Sequence, residues 1–242
     1  MRFLVNPNRF NNFSDIIIKP LTIIAGIFII TGLIFSLYLS PDDYQQGSTV
    51  RIMYIHVPSA WLSLMTYLIM TIYSIAALAF RTPFGFIINT AVAPIGAVFT
   101  LICIISGSLW GKPMWGTWWV WDARLTSMLI LFFFYLGFIL LHNAFERKVD
   151  GSKSASVLAI IGIINLPIIK FSVDWWHTLH QPSSILKFDG PSIDNQMLLP
   201  LTLMIIGFGL FSLYLIIVNV KTKLIEKKCE ALILKLNLKE LS

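Results

Sequence analysis

Six runs of mostly apolar residues, at 21–40, 57–80, 86–109, 125–142, 155–173 and 197–220, set the terms for everything else in this chain. The hydrocarbon core of a bilayer is about 30 Å thick and an α-helix rises about 1.5 Å per residue, so about 20 such residues cross it. Periodicity cannot separate helix from strand in continuous apolar runs, but length does. Only 12% of the 242 residues are charged and mean hydropathy is +0.79, which removes the soluble and disordered classes. The expectation is an all-α polytopic membrane protein, one membrane domain over 1–242 with six transmembrane helices. Pro94, Pro167 and Pro200 fall inside the runs. They are tolerable because neighbouring helices can satisfy the freed carbonyls, and Pro94 and Pro167 are expected kinks.

Orientation follows from where Lys and Arg fall. Arg2, Arg9, Lys19, Arg81, Arg147, Lys148, Lys153 and the tail lysines (Lys221, Lys223, Lys227, Lys228, Lys235, Lys239) put 13 basic residues on one side. Arg51, Lys112, Arg124, Lys170 and Lys187 put five on the other. Both termini are expected in the cytoplasm. The net +6 then divides into an inward +7 and an outward −1. The basic surplus is a topology signal and implies no nucleic acid. Residues 1–18 are polar and Asn-rich with no small-residue cleavage site after the first run, so the first helix reads as an uncleaved anchor. The tail 221–242 alternates Lys with Leu and Ile. It fits either an interfacial amphipathic helix against membrane lipid or a solvated basic end.

Several chemistries are excluded early. Cys103 and Cys229 are far apart, and there is neither C-x-x-C nor C-x-x-C-H. Thiol–disulfide exchange, a zinc ribbon and covalently attached c-type haem therefore drop out. No G-x-x-x-x-G-K-[ST] loop occurs, so nucleotide energy would come from a partner. Asp122 and Asp174 lack an accompanying nucleophile, so no catalytic residue is expected and the chain does not read as an enzyme.

The outward connections carry the unusual residues. Between 110 and 126 the chain reads W-G-K-P-M-W-G-T-W-W-V-W-D-A-R-L-T, with Trp110, Trp115, Trp118, Trp119 and Trp121 in twelve positions. An aromatic belt at the headgroups accounts for Trp61, Trp175 and Trp176, but an anchor needs only one or two such residues. Gly111, Pro113 and Gly116 oppose a regular helix over the first half, so a shaped turn is expected there. If the segment from Thr117 is helical, Trp118, Trp121 and Leu125 share one stripe. Either way the loop presents a broad π-rich surface suited to a large planar ligand, porphyrin first and a quinone ring second.

Haem iron takes axial ligands, commonly neutral imidazole. Three of four His lie outward: His56 in M-Y-I-H-V-P, and His177 and His180 in W-W-H-T-L-H-Q. His142, at the inner end of the fourth run, reads as a boundary polar group. Arg51 and Arg124 are outward cations whose forks suit haem propionates, although Arg124 equally suits Asp122 or a lipid phosphate.

The Trp-rich segment resembles the "WWD" signature of haem-handling proteins in cytochrome c maturation. With six spans, M-Y-I-H-V-P and W-W-x-T-L-H-Q, the chain is similar to the CcmC family from about 40 to 181. CcmF- and CcsA-type cytochrome c synthetases share the signature but are longer. The resemblance implies haem b as a non-covalent, transient cargo, held at the outer face of an energy-transducing membrane, a bacterial inner membrane in preference to a mitochondrial one. His56 and His180 would be its axial ligands, and the five Trp its platform, with Asp122 closing the signature. Position 177 is usually Asn in this pattern and is His here, so His177 could compete, since i and i+3 share a helix face. It further implies delivery to the haem chaperone CcmE, an ABC-type CcmA/CcmB complex and the small subunit CcmD.

Three rivals bear on this. A transporter moving haem through its own bundle needs ionisable or polar groups at mid-membrane, and the spans hold little beyond Ser, Thr, Asn165 and Lys170. An electron-transfer subunit binding haem or quinone would bury its His pairs within the spans. A cytochrome c haem lyase of the same signature would join haem to a C-x-x-C-H peptide unaided.

Overall fold

The computed structural model describes residues 7–180 and 193–240. Arg2, Gln181, Lys187 and the last two residues of the tail, named above, lie outside the described residues. Helix α1 spans Pro7–Ile34 and ends in a π-helical turn, Phe35–Leu39; a 3-10 turn, Ser48–Ile52, leads into α2, Met53–Ala79. There follow α3, Pro83–Trp115, α4, Ala123–Asn143, α5, Lys148–Gly162, α6, Asn165–Trp175, and α7, Asn195–Glu240. Six segments are long and apolar enough to cross a membrane, α5 and α6 together forming the fifth. The fold is therefore the six-span α bundle that the apolar runs predict.

The spans are longer than the apolar runs alone, because polar residues at their ends continue the backbone ladder. The fifth shows where proline acts. Pro167 has no N–H, and a proline ring crowds the carbonyl four residues back, at Ile163. The helix accordingly opens at residues 163–164, upstream of the proline itself. Ile163, Ile164 and Leu166 there donate to carbonyls three residues back, at 3.4, 3.5 and 3.1 Å. Asn165 braces the break by donating to the Ser127 carbonyl of α4 at 2.8 Å. Pro94, in contrast, leaves α3 continuous.

Helix α2 packs along α3, and α1 along α7; α4 and α5–α6 close the first pair. Between lipid-facing helices apolar burial gives no preference, so close approach and hydrogen bonds set the packing. Gly96 of α3 illustrates the first, since a Cβ there would fall 2.2 Å from the Tyr135 ring. The second is carried by α2. Tyr135 of α4 donates to the Ser63 carbonyl (2.7 Å) and pairs with the Thr66 hydroxyl (2.8 Å). Thr71 donates to the Ala159 carbonyl of α5 at 3.2 Å. Asn89 joins Asn165 among the buried amides and meets the Ser74 hydroxyl at 2.8 Å. Lys170 is exposed on α6 rather than interior.

At one end of the bundle Lys221 of α7 pairs with Asp15 of α1, and His142 meets Ser152 at 3.3 Å, as a boundary group should. The opposite end collects the 35–52 connection, the end of α3, the start of α4 and the end of α6. That end carries the site. The basic tail continues α7 as one helix to Glu240.

Candidate functional site

The site is built on an extension of α3. Gly111 and Pro113 do not stop this helix; it runs through Trp115 and ends at Gly116, whose φ of 76° is the left-handed cap that glycine supplies without strain. Pro113 removes only one backbone donor, near the helix end. Gly111 serves close approach, because the Trp115 ring folds back over it and a Cβ there would meet that ring at 2.7 Å. Beyond Gly116 the chain is not helical until Ala123. The conditional stripe of Trp118, Trp121 and Leu125 is therefore not formed, and the five indoles do not make one flat surface.

They divide instead into two groups. Trp110 and Trp115, on α3, each back a histidine edge-on: Trp110 with His56 at 5.7 Å between ring centres, Trp115 with His180 at 5.0 Å. Trp118 and Trp121 are exposed, Trp118 lying under the Lys112 ammonium (5.7 Å) and Trp121 against Trp119 (5.6 Å). Trp119 is partly buried.

His56 stands in the first turn of α2, facing α3. Its Nδ1 is 3.0 Å from Ser106 Oγ, and Cys103 Sγ lies 3.9 Å away. The Trp110 ring that backs it is itself held, since its Nε1 donates to Gln46 Oε1 at 2.8 Å. Gln46 sits in a turn closed by Asp43, whose carboxylate accepts from the backbone N–H of Gln45 and Gln46. The 35–52 connection thus acts as a clamp on the indole behind His56.

His180 follows the end of α6, in irregular chain. Its Nδ1 lies 3.4 Å from Asp122 Oδ2, a long hydrogen bond. The Asp122 side chain is only 6% exposed and its other oxygen caps α4, accepting from Leu125 N–H at 2.8 Å. Burial pushes the His180 imidazole below its ordinary value; Asp122 opposes this and Arg124 reinforces it. The ring is neutral at pH 7, the form that ligates metal. His177 is exposed and, because α6 ends at Trp175, shares no helix face with His180.

Neither arginine is an open cation. Arg51 Nη2 donates to Asp42 at 3.1 Å. Arg124 Nε donates to Ser172 at 3.0 Å, and its Nη2 reaches the Lys170 carbonyl at 3.4 Å, near the carbonyl end of α6. Arg124 thus ties the start of α4 to α6 rather than pairing with Asp122. Three buried polar atoms at this end nevertheless lack a partner: Arg51 Nε, Trp119 Nε1 and Thr178 Oγ1.

Ser106, Gly107, Gln46 and Asp43 are absent from the sequence-derived site. Ser106 and Gly107 share a helix face with Trp110, a signal readable once α3 extends that far. The Gln46–Trp110 contact, 64 residues apart, has no sequence signal.

With this geometry in place the comparisons decide the family. The family model described as heme exporter protein C, CcmC, matches residues 1–235. The chain belongs to the CcmC family. A heme exporter protein C from Bradyrhizobium diazoefficiens is 46% identical over 229 residues, covering 95% of this chain and 87% of that one. One from Haemophilus influenzae is 47% identical over 205 residues, covering 85% and 82%. A ccmC-like mitochondrial protein of cytochrome c biosynthesis from Marchantia polymorpha is 51% identical over 173 residues, covering 72% and 73%. The CcmC match includes every residue of the Trp-rich end, and extends well past the 40–181 segment that carries the sequence resemblance.

Proposed function

We propose that this chain is a haem-export component of cytochrome c maturation that holds haem at the outer face of the membrane. The observation that carries this is the presence of two histidines, His56 and His180, each backed by a tryptophan, at one end of the bundle. A bare metal ion needs three or more protein ligands, and the described residues contain no group of three or more His, Cys, Asp or Glu that could supply them. Two imidazoles suffice for iron whose other four ligands come from a porphyrin. Trp110 and Trp115 offer aromatic walls, and Arg51 Nε and Trp119 Nε1 offer unused donors to a polar edge. Hydrophobic contact contributes about 25 cal/mol per Å² of apolar area covered.

In this reading His56 and His180 are the axial ligands, and haem b is a non-covalent cargo that no step here modifies. Trp118 and Trp121, exposed at the rim, receive the haem chaperone CcmE. CcmA, CcmB and CcmD complete the assembly in a bacterial inner membrane, and CcmA supplies the nucleotide site. Both chain ends lie in the cytoplasm.

Absorption spectra of the purified protein with haem test the ligands. Wild type is expected to show a low-spin bis-His spectrum, and His56→Ala or His180→Ala to lose it. Wild-type spectra from both variants would overturn the assignment. Trp118→Ala combined with Trp121→Ala is expected to reduce transfer of haem to CcmE several-fold at unchanged haem binding. Equal transfer would leave these indoles as lipid anchors.

A further inference from the structure

Ser106 lies one helical turn before Trp110 and is 8% exposed, with its Oγ 3.0 Å from His56 Nδ1. A hydroxyl carries one proton. That of Ser106 faces the Ile102 carbonyl at 2.6 Å and the Cys103 carbonyl at 3.2 Å, neither of which can donate. The Ile102 carbonyl is the nearest acceptor, and with the proton on it Ser106 turns only lone pairs toward the imidazole. The Nδ1 facing it must then be the protonated nitrogen. A neutral imidazole has a single N–H, which leaves Nε2 with a lone pair, 4.0 Å from Cys103 Sγ.

The neighbouring residue fixes the ring's place. A Cβ on Gly107 would lie 3.0 Å from His56 Cε1, so the imidazole rests directly on the bare helix backbone. Trp110 closes it from the next turn. Cys103, Ser106, Gly107 and Trp110 form one stripe at spacings of three, one and three, the face that a helix turns to a single neighbour.

We infer that Ser106 is a positioning residue that holds His56 as its Nδ1–H tautomer and so presents Nε2 as the haem-ligating atom. The inference rests on the reading of His56 as an axial ligand. Such outer partners orient a ligand and raise its basicity, and their loss typically costs about 10–100-fold in affinity. His180 has the same arrangement through a different acceptor, the Asp122 carboxylate.

The test begins with haem-free full-length protein carrying 15N-labelled histidine, His56 being assigned by its absence from His56→Ala. Wild type should show a protonated Nδ1 and an unprotonated Nε2. Ser106→Ala removes only a hydroxyl and should shift His56 toward mixed tautomers, weaken haem binding about 10-fold and raise the midpoint potential of the bound haem. Ser106→Thr, which keeps the acceptor, should restore all three. A protonated Nε2 in wild type, or a Ser106→Ala protein with wild-type tautomer, affinity and potential, overturns the inference. If His56→Ala keeps the wild-type haem spectrum, the ligand assignment falls and this inference with it. If His56→Ala loses the spectrum while Ser106→Ala changes nothing, the ligand stands and Ser106 alone is misassigned.

Discussion

Asp122 performs two tasks with two oxygens, and they can be separated at that one residue. Oδ1 caps α4 through Leu125 N–H, and Oδ2 accepts from His180. Asparagine caps a helix as well as aspartate does, whereas alanine loses about 0.5–2 kcal/mol. In Asp122→Asn the amide oxygen keeps the cap and the NH₂ group turns to His180 Nδ1. A donor there selects the opposite tautomer, with the proton on Nε2, and blocks ligation. Asp122→Asn is therefore expected to unfold within about 0.5 kcal/mol of wild type yet lose the low-spin haem spectrum, while Asp122→Ala loses both. Thermal unfolding and absorption spectra of the two variants decide it. Full haem binding by Asp122→Asn would reduce Asp122 to a cap.

At the scale of the helices, packing turns on a few glycines that the chain places against large rings. At Gly96 a Cβ would meet the Tyr135 ring at 2.2 Å, and at Gly162 the Tyr67 hydroxyl and the Phe134 ring crowd in. Gly26 and Gly209 have open space. Overpacking typically costs about 1–3 kcal/mol, so Gly96→Ala should lower the midpoint of thermal unfolding in detergent while Gly26→Ala and Gly209→Ala leave it unchanged. Equal loss at all three positions would mean that close approach does not govern these sites. The six spans themselves were legible because span length follows from bilayer thickness alone. His56, His180 and the tryptophans were legible because their side-chain chemistry is rare and local. The course of 110–122 was not. Gly111 and Pro113 carry a local cost in a helix interior, and only the tertiary fold of Trp115 over Gly111 shows why glycine is placed there. Ending α3 at 109 also hid the face that carries Ser106 and Gly107. The displaced break at 163–164 has the same origin, since proline acts on a carbonyl four residues away.

For the whole molecule, the proposed function requires that the histidine end face away from the cytoplasm, and the charge distribution supplies the expected driving force. Thirteen basic residues fall on the side of the chain ends and five on the other, an asymmetry of the kind that fixes orientation. Six crossings put both ends on one side, consistent with the Lys221–Asp15 pair. Helix α7 has 46 residues, about 69 Å at 1.5 Å per residue, more than twice the hydrocarbon thickness. Its Lys-rich second half must therefore project beyond the bilayer. That half carries Cys229, which is exposed, whereas Cys103 is buried beside His56. The chain thus holds its own reporter of orientation. In intact bacterial cells a membrane-impermeant maleimide should leave Cys229 unlabelled until the inner membrane is opened, and should label Lys112→Cys in a Cys229→Ala background at once. Labelling of Cys229 in cells whose inner membrane is intact would invert the topology. The Trp-rich end would then face the cytoplasm, and delivery of haem to an outer chaperone would fail whatever the ligands prove to be.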